Sequence, residues 1–474
     1  MGNLHEECGV MGIYSPNRRN VAHTVYTGLY ALQHRGQESA GIVVNDDGLF
    51  YSHKDLGLVS DVFGAEQLAK FPMGTMAVGH VRYGTSGETN RENAQPMIVN
   101  HKKGRLAVAH NGNLANAWKL RDKLETEGAI FHSTNDTEII AHILIRKRLV
   151  TPSIEQAALA SIEHFDGAYS LILMSPTKMI AVRDPHGFRP LCYGQTEDGA
   201  YVIASEDCAL ASVGAKKIRE VEPGELILFS EKGVTSFRNY CNTAPHKICI
   251  FEYIYFARTD SEIEGVSVHE ARKRAGAILA KQAPVDADLV IGVPDSGLDA
   301  ALGYAEASGI PYGIGFVKNK YIGRTFISPG QKNRMEKVRI KLNPIREVVK
   351  DKKIVMIDDS IVRGTTSQSI IRLIKEAGAK EVHMRITAPP FRHPCYYGTD
   401  VDSSDHLIAN QHTIPEIAEL IGADSLAYLP MESLCELVGH NEYCAACFDG
   451  NYPTEVPGEH AKNRFDMPLS AGRE

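Results

Sequence analysis

No uninterrupted apolar stretch in these 474 residues reaches the roughly 18 needed to cross a bilayer as a helix, so a helical membrane-spanning chain is not expected. A surplus of positive charge is also missing. Lys and Arg number 51 against 58 Asp and Glu, a net −7, which argues against a general nucleic-acid coat because neutralising phosphates needs a positive face. The G-x-x-x-x-G-K-[ST] phosphate loop of nucleoside triphosphatases does not occur. Met1 to Glu7 lack the basic and apolar parts of a signal peptide, and Glu6 stands where an N-myristoylation signal wants Ser or Thr. A cytoplasmic protein is therefore expected, and its nine cysteines are not a disulfide framework, because that compartment keeps thiols reduced. They must be sorted into core, nucleophile and metal ligands. There are no internal repeats.

What remains is ordinary globular composition, 43% hydrophobic and 23% charged, in a chain long enough for two domains. From Cys8 to about Phe237 short strands alternate with Gly, Asn and Pro turns: residues 75–83, 106–110, and a hairpin of 168–174 with 179–183. One or two helices among them make this half α+β, with two stacked antiparallel sheets as the expected core. After about Lys247 the rhythm becomes strand, loop, helix. Residues 289–293 and 353–357 are continuous apolar strands. The second leads through Asp358 to Gly364 into a helix with Ile370, Leu373, Ile374 and Ala377 on one stripe, stopping at Gly378. Residues 381–387 return as a strand, and Ser267 with Glu270 opens a helix through Ala280. Such alternation predicts an α/β unit with a parallel sheet, whose ligands sit at the carboxyl ends of the strands.

Cys8, immediately before an apolar strand, would by itself be an ordinary core thiol. Its company changes that reading: residues 32–41 (LQHRGQESAG), 79–87 (GHVRYGTSG), 110–114 (HNGNL) and 133–138 (STNDTE). Together they resemble the glutaminase domain of class II glutamine amidotransferases, an N-terminal nucleophile hydrolase fold of stacked antiparallel sheets between helices. The resemblance implies that Cys8 is the nucleophile and that Met1 to Glu7 are a propeptide. A free α-amine with a pKa of about 7.7 to 8.0 accepts the thiol proton, whereas an amide nitrogen does not. It further implies Asn111 and Gly112 as oxyanion donors, and Arg82, Asp136 and Arg35 as glutamine contacts, with Arg82 forking onto the α-carboxylate and Asp136 pairing with the α-ammonium. Without these neighbours Asn111-Gly112 is a hairpin turn, Asp136 a helix cap, and His34 with Arg35 a loop support.

Residues 354–369 (IVMIDDSIVRGTTSQS) place two acids at a strand's end and a Gly, Thr and Ser-rich turn at a helix start. They resemble the phosphoribosyl pyrophosphate motif of type I phosphoribosyltransferases. Asp358 and Asp359 would orient ribose hydroxyls and hydrated Mg²⁺, while Arg363, Gly364, Thr365, Thr366 and Ser367 offer donors to the 5-phosphate. Residues 292–297 (GVPDSG) resemble the pyrophosphate loop, with Ser296 completing the Mg²⁺ contacts; a plain turn is the alternative. Residues 318–341 carry eight Lys or Arg against Glu336 alone. Within them 321–331 (YIGRTFISPGQ) resembles the family's mobile flap, with Arg324 and Lys332 as phosphoribosyl pyrophosphate contacts. Nucleic-acid binding and a solvated basic face are the alternatives for this stretch.

Cys444 and Cys447 form a C-x-x-C pair that Cys249 and Cys395 can join through folding, and four soft thiolates suit either Zn²⁺ or a [4Fe–4S] cluster. Both halves in this order, bridged by residues 251–261 (FEYIYFARTDS), resemble the glutamine-dependent phosphoribosyltransferases that open de novo purine synthesis. One branch of that family holds [4Fe–4S] on cysteines at these four positions. The implied layout is a propeptide (1–7), a glutaminase domain (8–240), a phosphoribosyltransferase domain with the cluster ligands (241–449) and a polar tail (450–474). The implied cofactors are Mg²⁺ and the cluster. The implied partners are glutamine, phosphoribosyl pyrophosphate, purine nucleotide feedback inhibitors and further copies in a homotetramer, with neither nucleic acid nor membrane. Ammonia must pass between the sites unprotonated, with Tyr255 and Leu426 as candidate channel walls. Competing readings are a protein that senses phosphoribosyl pyrophosphate without transfer, and a sugar-phosphate aminating enzyme.

Overall fold

The structure, a computed structural model, describes residues 8–83, 90–319, 341–399, 401 and 403–457. The expected propeptide, the 321–331 flap with Arg324, and Lys332 lie outside the described residues.

The amino-terminal half is built on two antiparallel sheets. The first runs, edge to edge, Lys216–Glu220, Cys192–Gln195, Tyr201–Ala204, Gly9–Arg19, Gly74–Arg82, Ser39–Asp46 and Leu49–Leu56. The second runs Gly233–Phe237, Leu226–Ser230, Met179–Arg183, Gly167–Met174, Gly104–Leu114 and Met97–His101. Strand alternation explains the layering. Val10, Val43 and Val78 of the first sheet pack on Ala109, Ile172 and Phe229 of the second, while Met11 and Ile13 turn outward onto the Val21–Ala31 helix. The outer face of the second sheet is covered by the helices Asp136–Val150 and Ile154–Ile162. The stacked sheets between helices are thus as expected, but the helix count is not. Among the described residues this half has four helices of nine residues or more, where one or two were anticipated. The Asp136–Val150 helix buries Ile139, Ile140, Ala141, Ile143 and Leu144, so it shows no one-sided stripe for periodicity to find.

The carboxyl-terminal half holds a four-stranded parallel sheet ordered Leu289–Gly292, Lys353–Asp358, Glu381–Ile386 and Ser425–Tyr428. Its second strand extends through Asp358, and the helix opened by Ser267 runs on to Gln282. That helix and Gly297–Ser308 cross in close contact. A Cβ on Gly276 would lie 1.8 Å from the Ala300 carbonyl oxygen, so only glycine permits the approach. The Thr365–Glu376 helix buries the anticipated stripe, Ile370, Leu373 and Ile374. The expected extended tail needs correction at its start. Tyr452 donates to the Pro394 carbonyl at 2.6 Å and rests on Tyr396, which pins the chain beyond Gly450 to the body. Among the described residues no helix is long and apolar enough to cross a membrane.

Candidate functional site

Cys8 leads into the Gly9–Arg19 strand, and alternation places it on the side of Val10, toward the space between the sheets. Its thiol donates to the Tyr83 carbonyl at 3.6 Å. Across that space lies the end of the Gly104–Leu114 strand. The Asn111-Gly112 pair is therefore strand and not hairpin turn: Asn111 pairs with Ser170 and Gly112 with Tyr169. The other edge of this segment loses its strand partner after Val108, where the Met97–His101 strand ends. Side chains take over there. The Gln95 amide oxygen accepts the His110 N–H at 2.8 Å, and Asp136 Oδ2 accepts the Leu114 N–H at 2.9 Å. Antiparallel alternation directs the Gly112 N–H to this same edge, between those two capped groups. Gly112 has φ +138°, and a Cβ there would meet the Ala168 carbonyl oxygen at 2.2 Å. Neither amide atom of the buried Asn111 side chain has a hydrogen-bond partner among the described residues. A polar group left so is costly, and it reads as a donor awaiting a ligand.

Asp136 is not the helix cap. Asn135 caps that helix, its side chain accepting the Thr137 N–H at 2.9 Å, and this leaves Asp136 to the end of the Gly104–Leu114 strand and to His110 Nδ1 at 3.3 Å. Arg82 is buried and paired with Glu38. Arg35 departs from its expected role as a glutamine contact. Its guanidinium is wholly buried, donating to the Cys8 carbonyl at 3.1 Å, to Glu206 at 2.6 Å and to both oxygens of Glu252 at 2.8 and 3.0 Å. Two carboxylates and a carbonyl occupy it, so it holds the Cys8 segment and is closed to a substrate carboxylate.

Glu206 and Glu252 escaped the sequence reading, although each interrupts or ends an apolar run. Glu252 opens a π-helical turn, Glu252–Phe256, and also accepts from Arg189 at 3.2 Å. Burial would raise the Glu206 carboxyl, but His34, whose Nε2 lies 2.8 Å away, and Arg35 hold it well below the usual carboxylate range.

At the carboxyl ends of the parallel strands a cavity of about 550 Å³ gathers every described residue assigned there, namely Ser296, Asp358, Asp359, Arg363, Gly364, Thr365, Thr366 and Ser367. Lys318 and Lys341, the two ends of the basic stretch, also line it. Gly364 takes φ +77° just before the Thr365–Glu376 helix, whose first N–H groups lack intrahelical partners and face an anion site. Ser296 Oγ donates to Asp359 at 2.6 Å, and Asp358 Oδ1 accepts the Asp359 N–H at 2.9 Å. Burial, then the neighbouring Asp359 charge, pushes the Asp358 carboxyl well up. Burial also raises Asp359, against the Ser296 and Ser360 hydroxyls and Arg272. Two such acids suit a cation and substrate hydroxyls. Tyr255 lines the cavity, whereas Leu426 packs on the core of this half. His34, from the other half of the chain, also lines the cavity.

The four cysteines come together from separate segments. Cys249 pairs with Cys444 across a short parallel bridge, and burial with Cys395, Cys249 and Cys444 nearby raises the Cys447 thiol well above its ordinary value. Burial pushes Cys444 up to about 12. None of the nine cysteines is in a disulfide, and no group of three or more His, Cys, Asp or Glu among the described residues is arranged to hold a metal ion.

Comparison with known proteins accounts for both halves. A glutamine amidotransferase domain family matches residues 80–212, and a phosphoribosyl transferase domain family matches 266–417. The amidophosphoribosyltransferase of Methanocaldococcus jannaschii is 48% identical, over 96% of this chain and 100% of its own length. That of Bacillus subtilis is 48% identical over 96% and 95%. The solved B. subtilis glutamine phosphoribosylpyrophosphate amidotransferase, complexed with ADP and GMP, superposes with a TM-score of 0.88 at 47% identity, covering 95% of this chain and 98% of that one. A structure described as the allosteric regulatory enzyme of purine biosynthesis gives 0.89 at 46%, covering 97% and 100%. Alike in sequence and in fold along nearly its whole length, the chain belongs to the amidophosphoribosyltransferase family.

Proposed function

We propose that the two sites run one reaction, the opening step of de novo purine synthesis. Glutamine is hydrolysed at Cys8 to glutamate and ammonia, and ammonia displaces diphosphate from C1 of 5-phosphoribosyl 1-pyrophosphate to give 5-phosphoribosylamine. Once Met1 to Glu7 are removed, the Cys8 α-amine takes the thiol proton. The thiolate attacks the side-chain carbonyl carbon, and the developing oxyanion is met by the Asn111 amide and the Gly112 N–H. The C–N bond breaks as the amide nitrogen takes back the proton held on the Cys8 α-amine and leaves as neutral ammonia, and water then hydrolyses the thioester to glutamate and the thiol. Arg82 and Asp136 hold the α-carboxylate and α-ammonium. In the second site the 363–367 loop takes the 5-phosphate and Asp358 and Asp359 orient the ribose; Arg324 and Lys332, outside the described residues, are further contacts to phosphoribosyl pyrophosphate.

His34 is the observation that carries this reading. Its side chain lines the phosphoribosyl cavity while binding Glu206, and Glu206 binds the Arg35 that holds the Cys8 carbonyl. Three side chains thus join the two centres, as a short, water-excluding route for ammonia requires. Ser296, Asp358 and Asp359 would hold Mg²⁺ together with substrate oxygens and water, and its charge would offset the leaving diphosphate. Cys249, Cys395, Cys444 and Cys447 would hold a structural [4Fe–4S] cluster; four thiols brought near one another and outside any disulfide are the donor type it needs. Purine nucleotide feedback and a homotetramer complete the proposal, the former supported by the ADP and GMP of the B. subtilis relative.

The test is glutamine-dependent formation of 5-phosphoribosylamine and diphosphate by anaerobically purified protein whose intact mass shows that Met1 to Glu7 are gone. Tight binding of phosphoribosyl pyrophosphate without turnover would overturn the proposal in favour of a sensor.

A further inference from the structure

The end of the Gly104–Leu114 strand is not supported by the glutaminase half alone. Tyr396, Tyr397 and Gly398, which follow Cys395 in the carboxyl-terminal half, lie against Gly112 and Asn113. Asn113 Nδ2 donates to the Tyr396 carbonyl at 2.9 Å in a buried contact. A Cβ built on Gly398, whose φ is +123°, would sit 3.6 Å from Gly112 Cα and carbonyl carbon, and 3.1 Å from Arg189 Nη2. Arg189 in turn donates to the Tyr397 carbonyl from Nη2 at 2.8 Å and from Nε at 3.2 Å, and the Tyr397 ring stacks on Phe188 at 4.1 Å. The Tyr397 N–H donates to Cys395 Sγ at 3.4 Å. Glycine suits position 398 because its φ is one that other residues rarely adopt and a Cβ there would crowd Arg189, while its approach to Gly112 is an ordinary contact.

We infer that the Tyr396–Gly398 segment of the transferase half is a buttress that sets the geometry of the glutaminase oxyanion donors, with Asn113 and Arg189 as the positioning residues that hold it. The inference rests on the proposed glutaminase site. Backbone at residues 111–113 has strand pairing on one side only, and its other side must stay open for substrate. Rigidity therefore has to come from behind, and the transferase half supplies it. The glutaminase site is completed only when both halves are docked.

Gly398→Ala strains a backbone of positive φ and crowds the Arg189 guanidinium that holds Tyr397, and Asn113→Ala removes the bond to Tyr396 without adding bulk. In the full-length, cluster-loaded protein each should lower glutaminase kcat about 10- to 100-fold, the effect of a misplacement near 1 Å, with KM for glutamine nearly unchanged. Ammonia-dependent amination and the rate of Cys8 alkylation by iodoacetamide, neither of which uses the oxyanion donors, should stay at wild-type values. Asn113→Ala guards against a Gly398 variant that fails to fold. Equal losses of glutamine- and ammonia-dependent activity, or wild-type glutaminase in both variants, would overturn the buttress. A Cys8→Ala protein that still hydrolyses glutamine would instead overturn the glutaminase site beneath it.

Discussion

Asn111→Ala separates catalysis from folding because the structure leaves that side chain buried with neither amide atom bonded. In the transition state the amide would donate to the oxyanion, and removing one such donor costs about 10²- to 10³-fold in kcat, roughly 2.7–4 kcal/mol. In the resting fold the same amide is a liability, since an unsatisfied buried polar group costs about 1–3 kcal/mol. Deleting it opens a void on the order of 30 Å³, worth about 0.7 kcal/mol at ~24 cal/mol per Å³. The two folding effects oppose each other. Stability should thus stay within about 1–2 kcal/mol of wild type, on the stabilised side if on either. Steady-state glutaminase kinetics, ammonia-dependent amination and thermal unfolding of the same preparation read all three quantities. Expected are a kcat loss of at least about 100-fold, little change in KM, intact ammonia-dependent activity and an unchanged melting temperature. A loss below tenfold, or a clear drop in stability, would refute the assignment.

Other perturbations follow from the buried charges and thiols. Glu252→Gln leaves the Arg35 and Arg189 guanidiniums buried against a neutral amide, so unfolding should become easier by about 3–5 kcal/mol, read as a lowered melting temperature. Asp358 has a raised carboxyl pKa in the fold, so the stability tied to its proton is complete below the unfolded value of about 3.9 and is lost as pH rises through the folded one. Asp358→Asn should flatten that decline in melting temperature with pH in metal-free protein and leave it more stable than wild type near neutrality, while binding phosphoribosyl pyrophosphate more weakly by calorimetry. Cys447→Ser should remove iron and inorganic sulfide together from anaerobically purified protein; stoichiometric zinc in the wild type would show a different metal at these thiols.

Local chemistry was legible wherever a motif carries its function within a few residues. The strand from Lys353, the acids at its end and the loop into the next helix all appeared where the chain order put them, because a parallel strand feeding a helix N-terminus is specified by contiguous residues. The hairpin of Gly167–Met174 with Met179–Arg183 was equally local. Asn111-Gly112 shows the limit of such reading. In isolation it is a turn signal, and pairing with Ser170 and Tyr169 made it strand. The Asp136–Val150 helix was hidden because it is buried on more than one side, which erases the periodicity that marks a surface helix.

By itself the sequence determined an antiparallel α+β half followed by a parallel α/β half, and a pair of acids at a strand's end running into a helix start, since each depends on neighbours in the chain. Only the tertiary structure decided what Arg35 does. Its partners Glu206 and Glu252 lie 171 and 217 residues away, and a guanidinium's role is set by which carboxylates burial forces it to meet. The same holds for His34 in the wall of the cavity at the carboxyl ends of the parallel strands and for Gly398 against Gly112. Contacts between halves are products of docking, and no local pattern encodes them.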